Sequence, residues 1–264
     1  MTEAVCPLAN AWLYVLAIAL GAALGSFGNV LIWRIPRDES IVKPPSHCTK
    51  CGHRIRFYDN IPILSYLWLR GHCRDCKAPI SPRYPLVELS SGILFVGAAI
   101  AYGWSLGTLF YGVFLWALLV LALIDFEHLL LPFAITIPMT LVGFGGAAIG
   151  ATLPLGRALA GAGIGLLFFL AVTYAGRSAF KREAMGGGDI VFGLMGGMYL
   201  GMEKTVVMIF LASLLGVIVS VPLLLLHRKK GSDPIPFGPF LSTAAVVAFF
   251  WGDTLVRQYV SLFW

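Results

Sequence analysis

The sequence Met185-Gly186-Gly187-Gly188-Asp189-Ile190 places an aspartate behind three glycines, at the start of a long apolar segment. An ionisable side chain that lies deep in membrane hydrocarbon is costly, so its presence there indicates a functional site by default. Three glycines permit backbone conformations with positive φ and the close approach of another segment. This stretch therefore directs the search to a second acidic residue that reaches the same place.

The composition indicates a membrane protein: of the 264 residues, 58% are hydrophobic and 12% are charged. Apolar runs of about 20 residues, each long enough to cross about 30 Å of hydrocarbon as a helix, recur along the chain. We predict an all-α polytopic fold of about eight transmembrane helices: Trp12–Trp33, Leu86–Trp104, Thr108–Ile124, Leu130–Ala151, Ala158–Gly176, Ile190–Gly201, Thr205–Leu226 and Phe237–Phe263. The predicted divisions are a first helix (residues 1–33), a long polar loop (34–84) and a helical core (85–264).

The basic residues predict the orientation of these helices. Sixteen of the 19 lysines and arginines fall in residues 34–83, 177–182 and 228–230, which alternate onto one side; the other three are Arg157, Lys204 and Arg257. Because basic loops are kept in the cytoplasm, we expect the long loop to be cytoplasmic and both termini to be periplasmic. The same rule explains the net charge of +6, so nucleic-acid binding is not expected. The first ten residues lack a basic n-region, so no cleavable signal peptide is expected.

This orientation brings two distant aspartates to one depth. The third span runs inward and ends at Asp125, and the sixth starts on the cytoplasmic side near Asp189. Glu88, at the start of the second span, and Asn29, near the end of the first, are expected at the same level. We therefore predict an acidic site at the cytoplasmic edge of the bilayer.

Two C-x2-C pairs stand in the long loop, Cys48-Thr49-Lys50-Cys51 and Cys73-Arg74-Asp75-Cys76, with 21 residues between them. Each pair can place two thiolates on one metal, and together they complete the tetrahedral four-cysteine shell that suits zinc. A cytoplasmic loop lies in a reducing compartment, which disfavours disulfides between these cysteines. An iron–sulfur or redox role of the four cysteines stays open. A closed shell leaves no open coordination position, so the predicted zinc is structural.

Other residues near these pairs carry weaker predictions. Gly52 and Gly71 stand where the turns need room. The neighbouring histidines are expected to be solvated rather than ligands, and Cys6 is given no role; the histidines are His47, His53 and His72.

The chemistry of a carboxylate pair suits the hydrolysis of a peptide bond by water. One ionised carboxylate takes a proton from water while the other, protonated, donates to the carbonyl oxygen, and proximity keeps the two from ionising together. Other interpretations stay open. Asp125 could end a helix or pair with His128, and Asp189 could cap a helix. The two could also relay protons in a transporter. Gly193, Gly197 and Gly201 recur every four residues, which predicts close helix packing.

With these residues in view, the chain resembles the bacterial type IV prepilin peptidases (leader peptidase/N-methyltransferases), which are membrane aspartic proteases. The similarity runs through nearly the whole length. It is carried by Gly25–Val30 with Arg34 and Pro36, the two C-x2-C pairs with Asn60, Pro62 and Ser65, Ser81–Pro85 before Glu88, Asp125 with Leu131-Pro132, the G-x-G-D of Gly186 to Asp189, and Pro236-Phe237-Gly238-Pro239.

The resemblance implies that Asp125 and Asp189 are the catalytic residues and that residues 85–264 form a transmembrane peptidase core. It implies cleavage of the leader of type IV prepilins or pseudopilins, the proteins of pili and type II secretion, after a glycine and before a residue that is usually phenylalanine. It also implies N-methylation of the new terminus with S-adenosylmethionine, a reaction associated with the cysteine-bearing loop, and an inner-membrane location. The alternative to an enzyme is a transporter with an aspartate proton relay or a non-catalytic assembly factor.

The resemblance leaves other positions as expectations only. Asn29, Glu88, Gly186 and Gly188 are candidate substrate or supporting groups, with helix capping and interhelical hydrogen bonding as the alternative. The residues that bind the cofactor are not identified, although Glu88 or loop residues near the cysteines could hold parts of S-adenosylmethionine. Two positions depart from the family pattern: Phe133 stands where an aspartate is common, and Val191 where a lysine is common.

Overall fold

A computed structural model of the chain describes residues 11–180, 185–225 and 235–263. Over these ranges the chain is helical, with two isolated β-bridges and no β-strand. The helices are α1 (Ala11–Arg34), α2 (Leu64–Trp68), α3 (Arg83–Tyr102), α4 (Leu106–His128), α5 (Phe133–Ala148), α6 (Leu155–Phe180), α7 (Gly187–Leu225) and α8 (Gly238–Phe263).

Six helices, α1, α3, α4, α6, α7 and α8, have the length and apolar composition of a membrane span. The prediction of an all-α polytopic membrane protein is confirmed. The predicted fourth span is shorter than expected, because α5 has only 16 residues. The predicted sixth and seventh spans are both present: the range labelled α7 consists of two helices that meet at a kink at Gly201, where φ is 74° and ψ is −179°. The predicted break at Gly201 is confirmed. The predicted end of the seventh span, Leu226, lies outside the described residues, as do Cys6 and the basic residues 181–182 and 228–230.

The short α5 follows from the backbone between it and α4. Leu129 ends α4 in the left-handed region, with φ 54°, and its amide donates to the Asp125 carbonyl at 2.9 Å. Pro132 is extended, with φ −71° and ψ 130°. Its carbonyl accepts from the amides of Ile135 and Thr136 at 3.0 and 3.2 Å, so Pro132 is the N-cap and the new helix begins at Phe133.

The described residues divide into two compact units, one up to Trp116 and the other from Ala117. In the first unit α1 packs against α3. A Cβ at Gly21 would lie 2.6 Å from the Ser91 carbonyl oxygen, and one at Gly25 would lie 2.7 Å from the Glu88 Cα. Glycine therefore lets these two helices meet backbone to backbone. The predicted division of the chain into residues 1–33, 34–84 and 85–264 stays a prediction.

In the second unit α7 packs against α5, α6 and α8. A Cβ at Gly197 would overlap the Gly161 carbonyl oxygen, and one at Gly165 would overlap that of Gly193. The predicted close packing is confirmed for Gly193 and Gly197, which lie against α6. Gly201 also lies against α6, since a Cβ at Gly161 would stand 2.6 Å from the carbonyl carbon of Gly201. It supplies in addition the positive φ at the kink of α7.

We expect Gly197→Ala to lower the free energy of unfolding by about 1–3 kcal/mol, because the added methyl group forces α6 and α7 apart. Gly163→Ala is the matched control, since a Cβ there meets nothing within 4 Å. Denaturant titration of both variants in detergent micelles measures the effect. Equal stability of the two variants would contradict the backbone contact.

Candidate active site and four-cysteine centre

The two C-x2-C pairs of the first unit form similar turns. The Gly52 amide donates to the Cys48 carbonyl at 2.9 Å, and the Lys77 amide donates to the Cys73 carbonyl at 3.0 Å. Gly52 has φ 73° and Lys77 has φ 59°, so each second cysteine is followed by a left-handed residue. A Cβ at Gly52 would meet nothing within 4 Å, so this glycine supplies the positive φ rather than the predicted room. Gly71 has φ 71° and a Cβ there would lie 3.1 Å from the Tyr66 hydroxyl, but the equivalent position in the second turn is Lys77, which was not predicted.

These turns bring together the sulfur atoms of Cys48, Cys51, Cys73 and Cys76, all within 4.8 Å of one another. The Sγ atoms of Cys48 and Cys76 are 3.8 Å apart. A zinc–sulfur bond of about 2.3 Å gives sulfur–sulfur edges of about 3.8 Å in a tetrahedron. The four cysteines can thus hold a metal, and no histidine joins the group among the described residues.

The electrostatics of the loop differ between the thiols. Hydrogen bonds from the backbone amides of Cys51 and Lys50 lower the pKa of the Cys48 thiol to about 6, which favours the thiolate that a metal binds. Desolvation and hydrogen bonding with the neighbouring thiols raise the pKa of Cys51 to about 12. Arg74, inside the second pair, donates to both carboxylate oxygens of Asp59 at 2.7 and 2.6 Å. This hydrogen bonding holds the pKa of Asp59 below its usual value. The pair ties the second cysteine turn to the short 3-10 helix Phe57–Asp59.

We expect the purified protein to hold about one zinc ion per chain and each of Cys48→Ser and Cys76→Ser to lose most of it, because three thiolates leave the shell open. Elemental analysis after dialysis measures the ratio. Cys6→Ser is the control cysteine and should keep the metal. A folded wild-type protein without metal would overturn this assignment.

In the second unit, Asp125 near the end of α4 and Asp189 in the first turn of α7 line one cavity of about 280 Å³. The segment 129–133 and the glycines 186–188 form the rest of the wall. Two acids from distant parts of the chain therefore meet in one small space.

Each aspartate accepts a backbone hydrogen bond. The Gly238 amide, at the start of α8, donates to Asp125 Oδ2 at 2.7 Å. The Gly186 amide donates to Asp189 Oδ2 at 3.2 Å, as in a capping box, where the side chain three positions into a helix binds the amide of the cap. Asp189 is therefore not the N-cap that the sequence allowed: Gly186 stands at that position, and Asp189 is the third residue of α7. His128 lies near Glu127, at 3.9 Å, and the hydrogen bond to Asp125 comes from α8.

The glycines before Asp189 set the wall of the cavity. A Cβ at Gly188 would lie 2.6 Å from the Leu131 carbonyl oxygen, so α7 begins in direct backbone contact with the segment after α4. Gly186 supplies the amide that binds Asp189. Phe133, one of the two departures from the family pattern, lines the cavity and lies 3.4 Å from where a Cβ of Gly187 would stand.

Asn29 and Glu88 belong to the first unit and brace its helices. Asn29 Nδ2 donates to the Tyr84 carbonyl at 3.1 Å, and Glu88 Oε2 accepts from the Ile63 amide at 2.7 Å. Ile63 has φ 62°, a conformation that a β-branched residue rarely adopts. Glu88 thus fixes a strained turn of the long loop onto α3. The location of Asn29 and Glu88 at the depth of the two aspartates stays a prediction.

Gly238 was not predicted to have a role of its own. The signal that could have identified it is Pro236-Phe237-Gly238-Pro239 at the start of an apolar span, where a helix presents free amides. The partner of such an amide, 113 residues earlier in the chain, is a tertiary contact that no local pattern predicts.

Comparison with known proteins gives two family matches. Residues 19–102 match the bacterial peptidase A24 N-terminal domain, and residues 112–221 match the type IV leader peptidase family. Relatives named prepilin leader peptidase/N-methyltransferase include those of Aeromonas hydrophila (38% identical, over 96% of both chains), Pseudomonas putida (36%, over 96% of this chain and 95% of the relative) and Pseudomonas aeruginosa (35%, over 92% of both). No solved structure matches the chain.

Proposed function

This chain belongs to the type IV leader peptidase family, and from that premise we propose that it is a membrane aspartic endopeptidase that removes the leader of type IV prepilins or pseudopilins. The observation that carries the proposal is that Asp125 and Asp189 line the same cavity. Cleavage after a glycine, with phenylalanine usually at the new terminus, is part of the same proposal. The relatives' printed name supports the substrate class.

The proposed reaction needs one ionised and one protonated carboxyl group. The ionised aspartate takes a proton from a water molecule, and the water oxygen bonds to the carbonyl carbon of the scissile peptide. The protonated aspartate gives its proton to the carbonyl oxygen, which forms a neutral tetrahedral intermediate. When the C–N bond breaks, the amine leaves with the proton first taken from water, and the hydroxyl proton returns to a carboxylate. Both carboxyl groups are restored and no covalent enzyme intermediate forms.

The proposed location is the cytoplasmic face of the bacterial inner membrane, with both termini periplasmic. The distribution of basic residues supports this orientation. A precursor with a soluble leader and an apolar helix presents its cleavage junction at that membrane edge, which suits an acid pair at the ends of α4 and α7.

The second half of the proposed activity is N-methylation of the new terminus with S-adenosylmethionine, whose sulfonium group supplies an electrophilic methyl. A cavity of about 610 Å³ in the long loop fits such a molecule, since small-molecule sites span about 300–1,000 Å³. The residues that line it suit the parts of this molecule. Arg54 would pair with the carboxylate, and the rings of Phe57 and Tyr58 would stack on the adenine and face the sulfonium. Asn60 would form a hydrogen bond with the ribose. Glu88 does not line this cavity; it binds the Ile63 amide.

We expect Arg54→Ala to weaken S-adenosylmethionine binding by about 10- to 100-fold, because a hydrogen bond to a charged group is lost. Isothermal titration calorimetry with the full-length protein gives the dissociation constant. Arg70→Ala, another loop arginine outside the cavity wall, is the control and should bind as wild type does. Equal affinities for both variants would place the cofactor elsewhere.

We expect Asp125→Asn and Asp189→Asn each to lower kcat/KM for leader cleavage by at least about 10²- to 10⁴-fold, because each removes one proton-transfer step. Both should still methylate a substrate that has already been cut. Cleavage of a purified precursor, followed by mass spectrometry of both products, measures the two activities. Retained cleavage in both variants would contradict the catalytic role of the two aspartates. A wild-type protein that cuts no precursor would favour a proton relay or an assembly role.

A further inference from the structure

We propose that Gly238 is a positioning residue that keeps Asp125 as the ionised member of the pair. Asp125 then takes the proton from water, and Asp189 carries the proton that is given to the carbonyl oxygen. This assignment of the two roles rests on the proposed peptidase function and goes beyond it.

The first support is the hydrogen bond itself. The Gly238 N–H donates to Asp125 Oδ2 at 2.7 Å, a short charge-assisted distance. Gly238 is buried, and Asp125 is only 6% exposed. Gly238 is also the first residue of α8, so its amide has no partner within the helix. The positive end of the helix dipole lies at the same point and favours a negative charge there.

The second support is the absence of space for a side chain. A Cβ at Gly238 would lie 2.8 Å from both Cβ and Oδ2 of Asp125, and 2.9 Å from its Cγ. The carboxyl group of Asp125 thus sits directly on the backbone of Gly238. Any other residue would push Asp125 off the amide that binds it.

The third support is the asymmetry between the two acids. Asp189 accepts its hydrogen bonds within the first turn of its own helix, from its own amide and, at 3.2 Å, from the exposed Gly186. The bond from the buried Gly238 to Asp125 is shorter, at 2.7 Å. Two neighbouring carboxyl groups resist double ionisation, so the charge is held by the acid with the better donor, and that acid is Asp125.

Within residues 11–180, 185–225 and 235–263, the other charged groups around Asp125 leave this assignment unchanged. On α7, Asp189 is the titratable group that shares the cavity. The first turn of α8 contains no acidic residue. On α4 itself, Glu127 and His128 lie 3.9 Å from each other and line no part of the cavity.

The test is the pH dependence of kcat/KM for precursor cleavage, whose acid limb reports the catalytic base of the free enzyme. Gly238→Ala should move that limb upward by about one to two pH units, with activity recovering at higher pH. Gly163→Ala, a helical glycine with open space around it, should leave the limb in place. Thermal unfolding in detergent monitors the fold of both variants.

A second variant removes the donor without adding an atom. Glycolic acid at position 238, incorporated by nonsense suppression, replaces the amide N–H with an ester oxygen, and the same upward shift is expected. An unmoved acid limb in this variant would overturn the proposal, as would an equal loss of activity by Gly238→Ala at every pH. A wild-type protein that cleaves no precursor would instead refute the peptidase function, so the two failures are distinguishable.

Discussion

A buried carboxylate has to obtain its hydrogen bonds from the protein, because little water reaches it. In the second unit this requirement joins elements far apart in the chain. The Asp125 side chain binds the first amide of α8, and Asp189 binds an amide of its own glycine turn. Both donors are backbone groups at helix starts, which cannot rotate away as a side chain can. The geometry of the two acids is therefore fixed by the packing of helices rather than by other side chains.

The long loop of the first unit meets a different constraint. In α2 only Ser65 is buried, and the two short 3-10 helices, Ile35–Arg37 and Phe57–Asp59, contain no buried residue. The helices of the loop therefore form no apolar core of their own. A four-thiolate site can supply the missing folding energy, since structural zinc binding is worth about 10–16 kcal/mol in small domains. The Arg74–Asp59 pair and the bond from Ile63 to Glu88 then attach the rest of the loop to this centre and to α3. A metal held by the four thiolates would, together with these hydrogen bonds, stabilise the loop as hydrophobic packing stabilises the helices.

Much of this arrangement was predictable, and the exceptions have physical causes. Apolar length alone identified the helices, because a membrane span needs about 20 such residues. Cysteine spacing identified the possible metal ligands. Length could not show that the left-handed Leu129 and the extended Pro132 delay the start of α5 to Phe133. The hydrogen bond from Gly238 was beyond reach as well, since it depends on how α4 and α8 meet.

The order of the chain gives that hydrogen bond a consequence for biogenesis. Both acids are translated before residue 190, yet the amide that binds Asp125 belongs to the last helix, 113 residues after its acceptor. A nascent polypeptide halted before α8 carries the two aspartates without the donor that orients one of them. The acid centre is therefore complete only after α8 has been made and has packed against α4.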